Sequence, residues 1–139
     1  MRSLRMWPSA NNLNCLTVNA GQITAEGLRE IAKLQKLETL GLSGTGVTDA
    51  GLKEVAKCTQ LTFLNLLTTK ITDAGLKEVG KLKKLNDLTL GYNEITGTGL
   101  KELAKLNQLR TLWLDGTKVT KADVAEFKKA LPNCNVSGP

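Results

Sequence analysis

Leucines recur along the chain with a period of 24 residues, and every period begins with the same apolar pattern. The five periods open at Leu13, Leu37, Leu61, Leu85 and Leu109. Each opens as L-x-x-L-x-L, or as the variant ending in Val, and later reaches an Ile or Val that is followed at once by Thr. Five copies in one register predict equivalent structural units, which must stack on one another to bury a common core.

Each unit contains two apolar patterns that predict different secondary structure. The last two apolar residues of the opening motif alternate, so they point to one side of a short strand. After the Thr, the apolar residues take helical spacing, as at Leu52, Val55 and Ala56. We therefore expect parallel strands near residues 15–18, 39–42, 63–66, 87–90 and 111–114, each followed by a helix.

The residues that open the helices fit this prediction. The Thr of each repeat is a favoured N-cap residue, and Asp49 and Asp73 come directly after it, where a carboxylate favours the positive end of a helix. Thr120 and Asp123 have the spacing of a capping box. The other four repeats have glycine at that last position, and we attribute it to close backbone approach between stacked units. These glycines are Gly27, Gly51, Gly75 and Gly99.

The combined pattern, L-x-x-L-x-L-x-x-T/N-x-V/I-T-D-A-G-L-K-E, resembles a leucine-rich repeat. The V/I-T-D-x-G-L portion is similar to repeats of bacterial proteins and to the cysteine-containing repeats of F-box proteins. The resemblance implies an α/β solenoid, a right-handed horseshoe with parallel strands on its concave face and helices on its convex face. The ninth repeat position is Asn only once, at Asn93, so a continuous asparagine ladder is not expected.

The repeat register divides the chain into three parts. Residues 1–12 are predicted to be an N-terminal cap or extension, in which Leu4, Met6 and Trp7 could cover the open end of the stack. Residues 133–139 are predicted to be a stub strand and tail, with Val136 at the place of a strand leucine. The repeats between them are 13–36, 37–60, 61–84, 85–108 and 109–132.

Composition removes most catalytic chemistry. The chain has 139 residues and no histidine, so Ser-His-Asp and Cys-His arrangements are impossible. The three cysteines match no zinc or redox spacing, and they favour free thiols in a reducing compartment. We expect no catalytic residues, no metal and no cofactor. No apolar segment is long enough for a signal peptide or a membrane span, and the simplest location is the cytoplasm.

Charged residues on the predicted helices form regular rows. Basic residues recur at two repeat positions, as at Lys77 and Lys81, and a glutamate such as Glu78 recurs between them. The net charge of +6 suggests a surface for nucleic acid, but the glutamate row and the absence of aromatic residues among the lysines argue against that partner. A solvated helical face with alternating charge is the simpler interpretation.

The variable strand positions carry the candidate site. In a leucine-rich repeat these positions form the concave surface, which we name the strand face. The strand face comprises Cys15, Thr17, Asn19, Thr39, Gly41, Ser43, Phe63, Asn65, Leu67, Asp87, Thr89, Gly91, Thr111, Trp113 and Asp115. Of the chain's five aromatic residues, Phe63 and Trp113 lie at these positions and Tyr92 is adjacent. Aromatic residues are common interface anchors, so they predict a binding surface.

The predicted function is a non-catalytic module that binds a protein or peptide through the strand face. The predicted binding residues are Phe63, Asn65, Leu67, Asp87, Tyr92, Trp113 and Asp115. Because two of them are carboxylates and several are apolar, the partner should be basic or apolar. The alternative is a structural piece that self-associates through a thinly capped N-terminal repeat. An enzyme and a nucleic-acid binder are further, weaker alternatives.

Overall fold

A computed structural model describes residues 12–19 and 21–139. Strands and helices alternate throughout this part of the chain. The strands are β1 (Cys15–Thr17), β2 (Thr39–Gly41), β3 (Phe63–Asn65), β4 (Asp87–Thr89), β5 (Thr111–Trp113) and β6 (Asn135–Ser137). The helices are α1 (Ala25–Ala32), α2 (Asp49–Val55), α3 (Asp73–Val79), α4 (Gly97–Leu103) and α5 (Lys121–Ala130). The predicted alternation of short strands and helices is confirmed.

The strands form one parallel sheet in chain order, from β1 to β6. The register pairs each residue with the residue 24 positions later, so that Leu40 stands beside Leu64 and Leu64 beside Leu88. These leucines are fully or almost fully buried, as is Leu112 in β5. The stack therefore has one continuous core, because each repeat covers the apolar layer of its neighbour.

The two ends of the described structure differ. At the C-terminal end, β6 pairs with β5 and places Val136 beside Leu112, as the sequence predicts for a stub strand. In the first repeat, Leu13, Leu16 and Val18 are only partly buried. Residues 1–11, most of the predicted N-terminal cap, lie outside the described residues.

Hydrogen bonds at the helix starts connect neighbouring repeats. Asp49 accepts hydrogen bonds from the backbone N–H and the hydroxyl of Thr72, which caps the next helix. Asp73 makes the same pair of bonds to Thr96. The sequence explained these aspartates by the positive end of their own helix, but the structure adds a second role. They join each helix start to the following one.

The glycines near the helix starts make room for these carboxylates. A side chain at Gly75 would collide with the Asp49 carboxylate, and one at Gly99 with the carboxylate of Asp73. The close approach is thus mainly to a side chain of the preceding repeat, and less to backbone than the sequence suggested.

At the junction of the fourth and fifth repeats, the glycine and the aspartate exchange places. Gly97 stands where Asp49 and Asp73 stand in their repeats, and Asp123 of the next repeat occupies the space that Gly97 leaves. Asp123 forms the predicted capping box with Thr120. In this box the backbone N–H of Thr120 donates to the Asp123 carboxylate, and the N–H of Asp123 donates to the Thr120 hydroxyl. The backbone N–H of Thr120, and next its side chain, hold the pKa of the Asp123 carboxyl below its usual range.

The ninth repeat position satisfies backbone carbonyls with threonine in three repeats and with asparagine in one. Thr45, Thr69 and Thr117 each donate their hydroxyl to the carbonyl three residues earlier. Asn93, the one asparagine, is buried and donates to three carbonyls, among them that of Leu66 in the preceding repeat. Its side-chain oxygen accepts from the backbone N–H and the hydroxyl of Thr69. The interrupted ladder therefore still links two central repeats.

Candidate functional site on the strand face

The strand register places the outward side chains in two rows. The first row joins Phe63, Asp87 and Thr111 on β3, β4 and β5. The second row joins Asn65 with Thr89 and Thr89 with Trp113. Adjacent strands lie about 4.8 Å apart, so three successive members of a row form one continuous patch.

One groove lies on the second row and the turns that follow it. It has a volume of about 390 Å³ and is lined by Asn65, Leu67, Thr89, Tyr92, Trp113 and Asp115. Five of these six residues were predicted as binding residues from the sequence. Phe63 and Asp87 lie in the first row, on the same face, but do not line the groove. The structure thus brings most of the predicted set together and leaves two members beside it.

Two aromatic rings in the groove are open to solvent. Tyr92 is 62% exposed and Trp113 is 49% exposed, and they are the large hydrophobic side chains that stand exposed within residues 12–19 and 21–139. Phe63 and Leu67 are partly buried. Neither Tyr92 nor Trp113 is needed to fill the core, whose buried leucines account for the stack.

Tyr92 also occupies a turn position that favours glycine. The equivalent residues one repeat apart are Gly44, Thr68, Tyr92 and Gly116, and all four have a positive φ, between 52° and 76°. Such a conformation costs a residue with a side chain about 1 kcal/mol or more. The backbone conformation therefore does not explain why tyrosine stands at this position, and the exposed ring is the feature that glycine would lack.

Two glycines leave space for the side chains of the groove. A side chain at Gly116 would collide with the ring of Tyr92, which lies directly over it. A side chain at Gly91 would lie 2.8 Å from the Leu67 side chain and 2.9 Å from the Asp115 carbonyl oxygen. The backbone N–H of Tyr92 donates to that same carbonyl at 2.8 Å. The backbone of Tyr92 is thus bonded to the segment that follows β5, the strand that carries Trp113.

The polar residues of the groove are held in position. The hydroxyl of Ser137, on β6, donates to one carboxylate oxygen of Asp115 at 3.1 Å. The side-chain oxygen of Asn65 accepts from the backbone N–H of Leu67 at 3.0 Å. The groove therefore combines two exposed rings, one aliphatic side chain and one oriented carboxylate.

Sequence reasoning omitted Thr89 from the predicted set, although Thr89 lines the groove. Its signal was present, because Thr89 stands between Asn65 and Trp113 at one repeat position. Sequence reasoning also missed the special backbone of Tyr92. The signal there was the glycine at the equivalent positions in two other repeats, Gly44 and Gly116.

The helical face shows a different kind of order. In all five helical segments a lysine pairs with the glutamate three residues earlier, at distances from 2.9 to 3.4 Å. Lys105 beside Glu102 lowers the pKa of that carboxyl, and Lys77 contributes to the same effect. Every lysine of this row thus has a partner within its own repeat, as expected for a solvated face with alternating charge.

The two buried cysteines offer no activated thiol. Cys15, Cys58 and Cys134 are all free. Burial raises the pKa of the Cys58 thiol to about 11, and burial also raises the pKa of Cys134. Both side chains are protonated at neutral pH and pack as small apolar groups.

Comparisons with known proteins agree with the repeat architecture of the fold. The family described as Leucine Rich repeat matches residues 33–56 and 81–104. An internalin from Listeria monocytogenes is similar, with 25% identity over 93% of this chain and a TM-score of 0.77. A leucine-rich-repeat protein from Leptospira interrogans has 30% identity over 92% of this chain and a TM-score of 0.73.

A more distant structure shares the fold. It is a plant peptide hormone receptor in complex with RGF2, with 19% identity over 89% of this chain and a TM-score of 0.56. The chain spans 35%, 32% and 19% of the lengths of these three proteins, in the order given. No curated protein matches the sequence.

The repeats, the parallel sheet and these relatives agree: the chain is a leucine-rich-repeat protein. Among the residues that the structure describes, no helix combines the length and the apolar character required to cross a bilayer.

Proposed function

We propose that the chain is a non-catalytic binding module that holds a protein or peptide against its strand face. The observation that carries this proposal is the pair of exposed rings, Tyr92 and Trp113, which line one groove on adjacent repeats. Exposed aromatic residues lower solubility, and they are the residue type that most often anchors an interface.

Two further observations support the groove as the place of contact. Tyr92 stands in a left-handed turn that would favour glycine, so its ring is retained at a cost to stability. Three of the six lining residues, Asn65, Thr89 and Trp113, lie on strands of the parallel sheet, so this part of the groove needs little ordering on binding. A plant peptide hormone receptor that shares the fold was solved in complex with RGF2, which is consistent with a peptide partner for this fold.

A peptide library tests the proposal while the partner is still unidentified. Random peptides displayed on phage are selected on the immobilised protein, and the selected peptides are titrated by fluorescence anisotropy. Trp113→Ala should weaken their binding about tenfold or more, since central aromatic anchors carry much of an interface's energy. Lys53→Ala, on the helical face, is the matched control and should bind as the unaltered protein does. Equal affinity of all three proteins would contradict the proposal.

Self-association through the first repeat is the second candidate. Leu13, Leu16 and Val18 are partly buried, whereas their counterparts Leu37, Leu40 and Leu42 are fully buried. A second copy covering these residues would complete the core of that repeat. Sedimentation velocity over a hundredfold concentration range tests this idea, and a mass that stays monomeric throughout would reject it.

The domain organisation is proposed to follow the repeat register. Residues 13–132 would form the five repeats, 1–12 a cap or extension, and 133–139 a stub strand and tail. Limited proteolysis followed by mass spectrometry would locate the boundaries of the resistant core.

Three free thiols, one of them exposed, support a reducing compartment such as the cytoplasm.

A further inference from the structure

The charges of this protein are distributed unevenly over its two faces. The chain contains 19 lysines and arginines, and its net charge is +6. None of those 19 residues stands at a strand-face position, whereas Asp87 and Asp115 both do. The strand face is therefore the acidic region of a basic protein, and it should attract a positively charged group.

The groove offers two kinds of contact that suit such a group. Tyr92 and Trp113 present exposed rings, and a cation is attracted to the face of an aromatic ring. Asp115 adds a carboxylate that lies in the same groove. A site with only the rings would accept any apolar side chain, but an apolar ligand would bring no positive charge to the carboxylate of Asp115.

The carboxylate of Asp115 is oriented before any ligand arrives. Ser137 donates its hydroxyl to one oxygen, and a side chain at Gly138 would collide with the other oxygen. The backbone carbonyl of Asp115 accepts from the N–H of Tyr92, so the backbone segments that follow β4 and β5 are joined beside the groove. A preorganised arrangement of this kind reduces the entropy that binding must overcome.

We propose that this groove takes an arginine side chain of a bound polypeptide, with the guanidinium against the Tyr92 and Trp113 rings and paired with Asp115. This inference rests on the proposed function and names the group that anchors the partner. A guanidinium is planar, so it stacks on aromatic faces, and its forked N–H groups match a carboxylate. Lysine lacks the planar surface, and an acidic side chain would be repelled by Asp115.

A pair of isosteric small molecules tests the inference directly. N-acetyl-arginine amide carries a guanidinium, whereas N-acetyl-citrulline amide has nearly the same shape and no charge. Each is titrated into the full chain at constant ionic strength, and the indole N–H signal of Trp113 is followed by ¹H–¹⁵N NMR. The signal is assigned with Trp113→Phe. We expect the arginine compound to bind about two- to fivefold more tightly than the citrulline compound.

Two carboxylate variants locate the charge that matters. Asp115→Asn should reduce the preference for arginine to the part that the rings supply, while leaving the weaker binding of citrulline unchanged. Asp87→Asn makes the same change of charge on the same face but outside the groove, so it should keep most of the preference. Both variants are checked by circular dichroism and thermal unfolding, so that a loss of fold is not mistaken for a loss of binding.

Three results would overturn the inference: equal or tighter binding of citrulline, equal effects of the two variants, or no movement of the Trp113 signal with either compound. The proposed function is judged separately by the selected peptides. If those peptides still require Trp113 while citrulline equals arginine, the groove is an apolar anchor site, and only the arginine assignment fails.

Discussion

The two faces of this protein differ in how faithfully they repeat. On the helical face, the lysine–glutamate pair recurs in every repeat with nearly the same geometry. On the strand face, the outward residues change from one repeat to the next, and both exposed aromatic residues occur once, in adjacent repeats. Residues that repeat maintain the stack. Residues that depart from the repeat without serving the core are the ones that we propose to contact a partner.

The largest effect should come from a residue that faces neither surface. Leu88→Ala removes a buried side chain between Leu64 and Leu112 and should cost about 2–5 kcal/mol of unfolding free energy, because it leaves a cavity in the middle of the stack. Urea denaturation measures it. Leu67→Ala, on the strand face, is the control and should cost clearly less. A loss below about 0.5 kcal/mol for Leu88→Ala would contradict the packing described for the core.

The next effect concerns the hydrogen bonds that connect successive helix starts. Asp73→Ala deprives the N–H and the hydroxyl of Thr96 of their acceptor and should cost about 1–2 kcal/mol. The converse change is Ala25→Asp, at the position one repeat before Asp49. It should place a carboxylate close to Thr48, whose side chain makes no capping bond. It should stabilise the protein by about 0.5 kcal/mol or more. Denaturant midpoints that moved in the opposite directions would exclude this role.

A smaller effect separates stability from binding. Tyr92→Gly should raise the free energy of unfolding by about 0.5–1 kcal/mol, since glycine adopts the left-handed conformation without steric cost. Thr68→Gly is the matched control, because Thr68 has the same conformation one repeat earlier and does not line the groove.

Both glycine variants should therefore be more stable, but only Tyr92→Gly should lose affinity for the selected peptides. Unfolding curves and anisotropy titrations on the same protein samples measure the two quantities. If Thr68→Gly weakened peptide binding as much as Tyr92→Gly does, the ring of Tyr92 would have no special part in the strand face.

The smallest effect is expected on the helical face. Lys81→Ala breaks an ion pair with Glu78 in which the lysine side chain is 64% exposed, so solvent and salt screen the interaction. The change in unfolding free energy should stay below about 0.5 kcal/mol, and peptide affinity should not change. A larger loss would mean that the repeated pairs contribute more to the stack than an exposed charge pair normally does.

Sequence periodicity was sufficient to predict the fold and most of the candidate site. The leucine register predicted each strand, because a 24-residue repeat leaves one consistent choice of inward and outward residues. Alternation along β3 and β5 then predicted that Asn65 and Trp113 face outward. The same reasoning could not show that Phe63 and Asp87 lie outside the groove. The sequence predicts which residues face outward in each row of the sheet, but it does not predict where the surface forms a depression.

The sequence by itself determined the number of repeats, the direction of the strands and the residues of the core, because these follow from local spacing repeated five times. Only the tertiary structure decided which side chains meet across repeats. It placed the Asp49 carboxylate on Thr72, fitted Asp123 into the space beside Gly97, and laid the Tyr92 ring over Gly116. Such contacts depend on turn conformation and on distances between stacked units, which residue spacing along one chain does not specify.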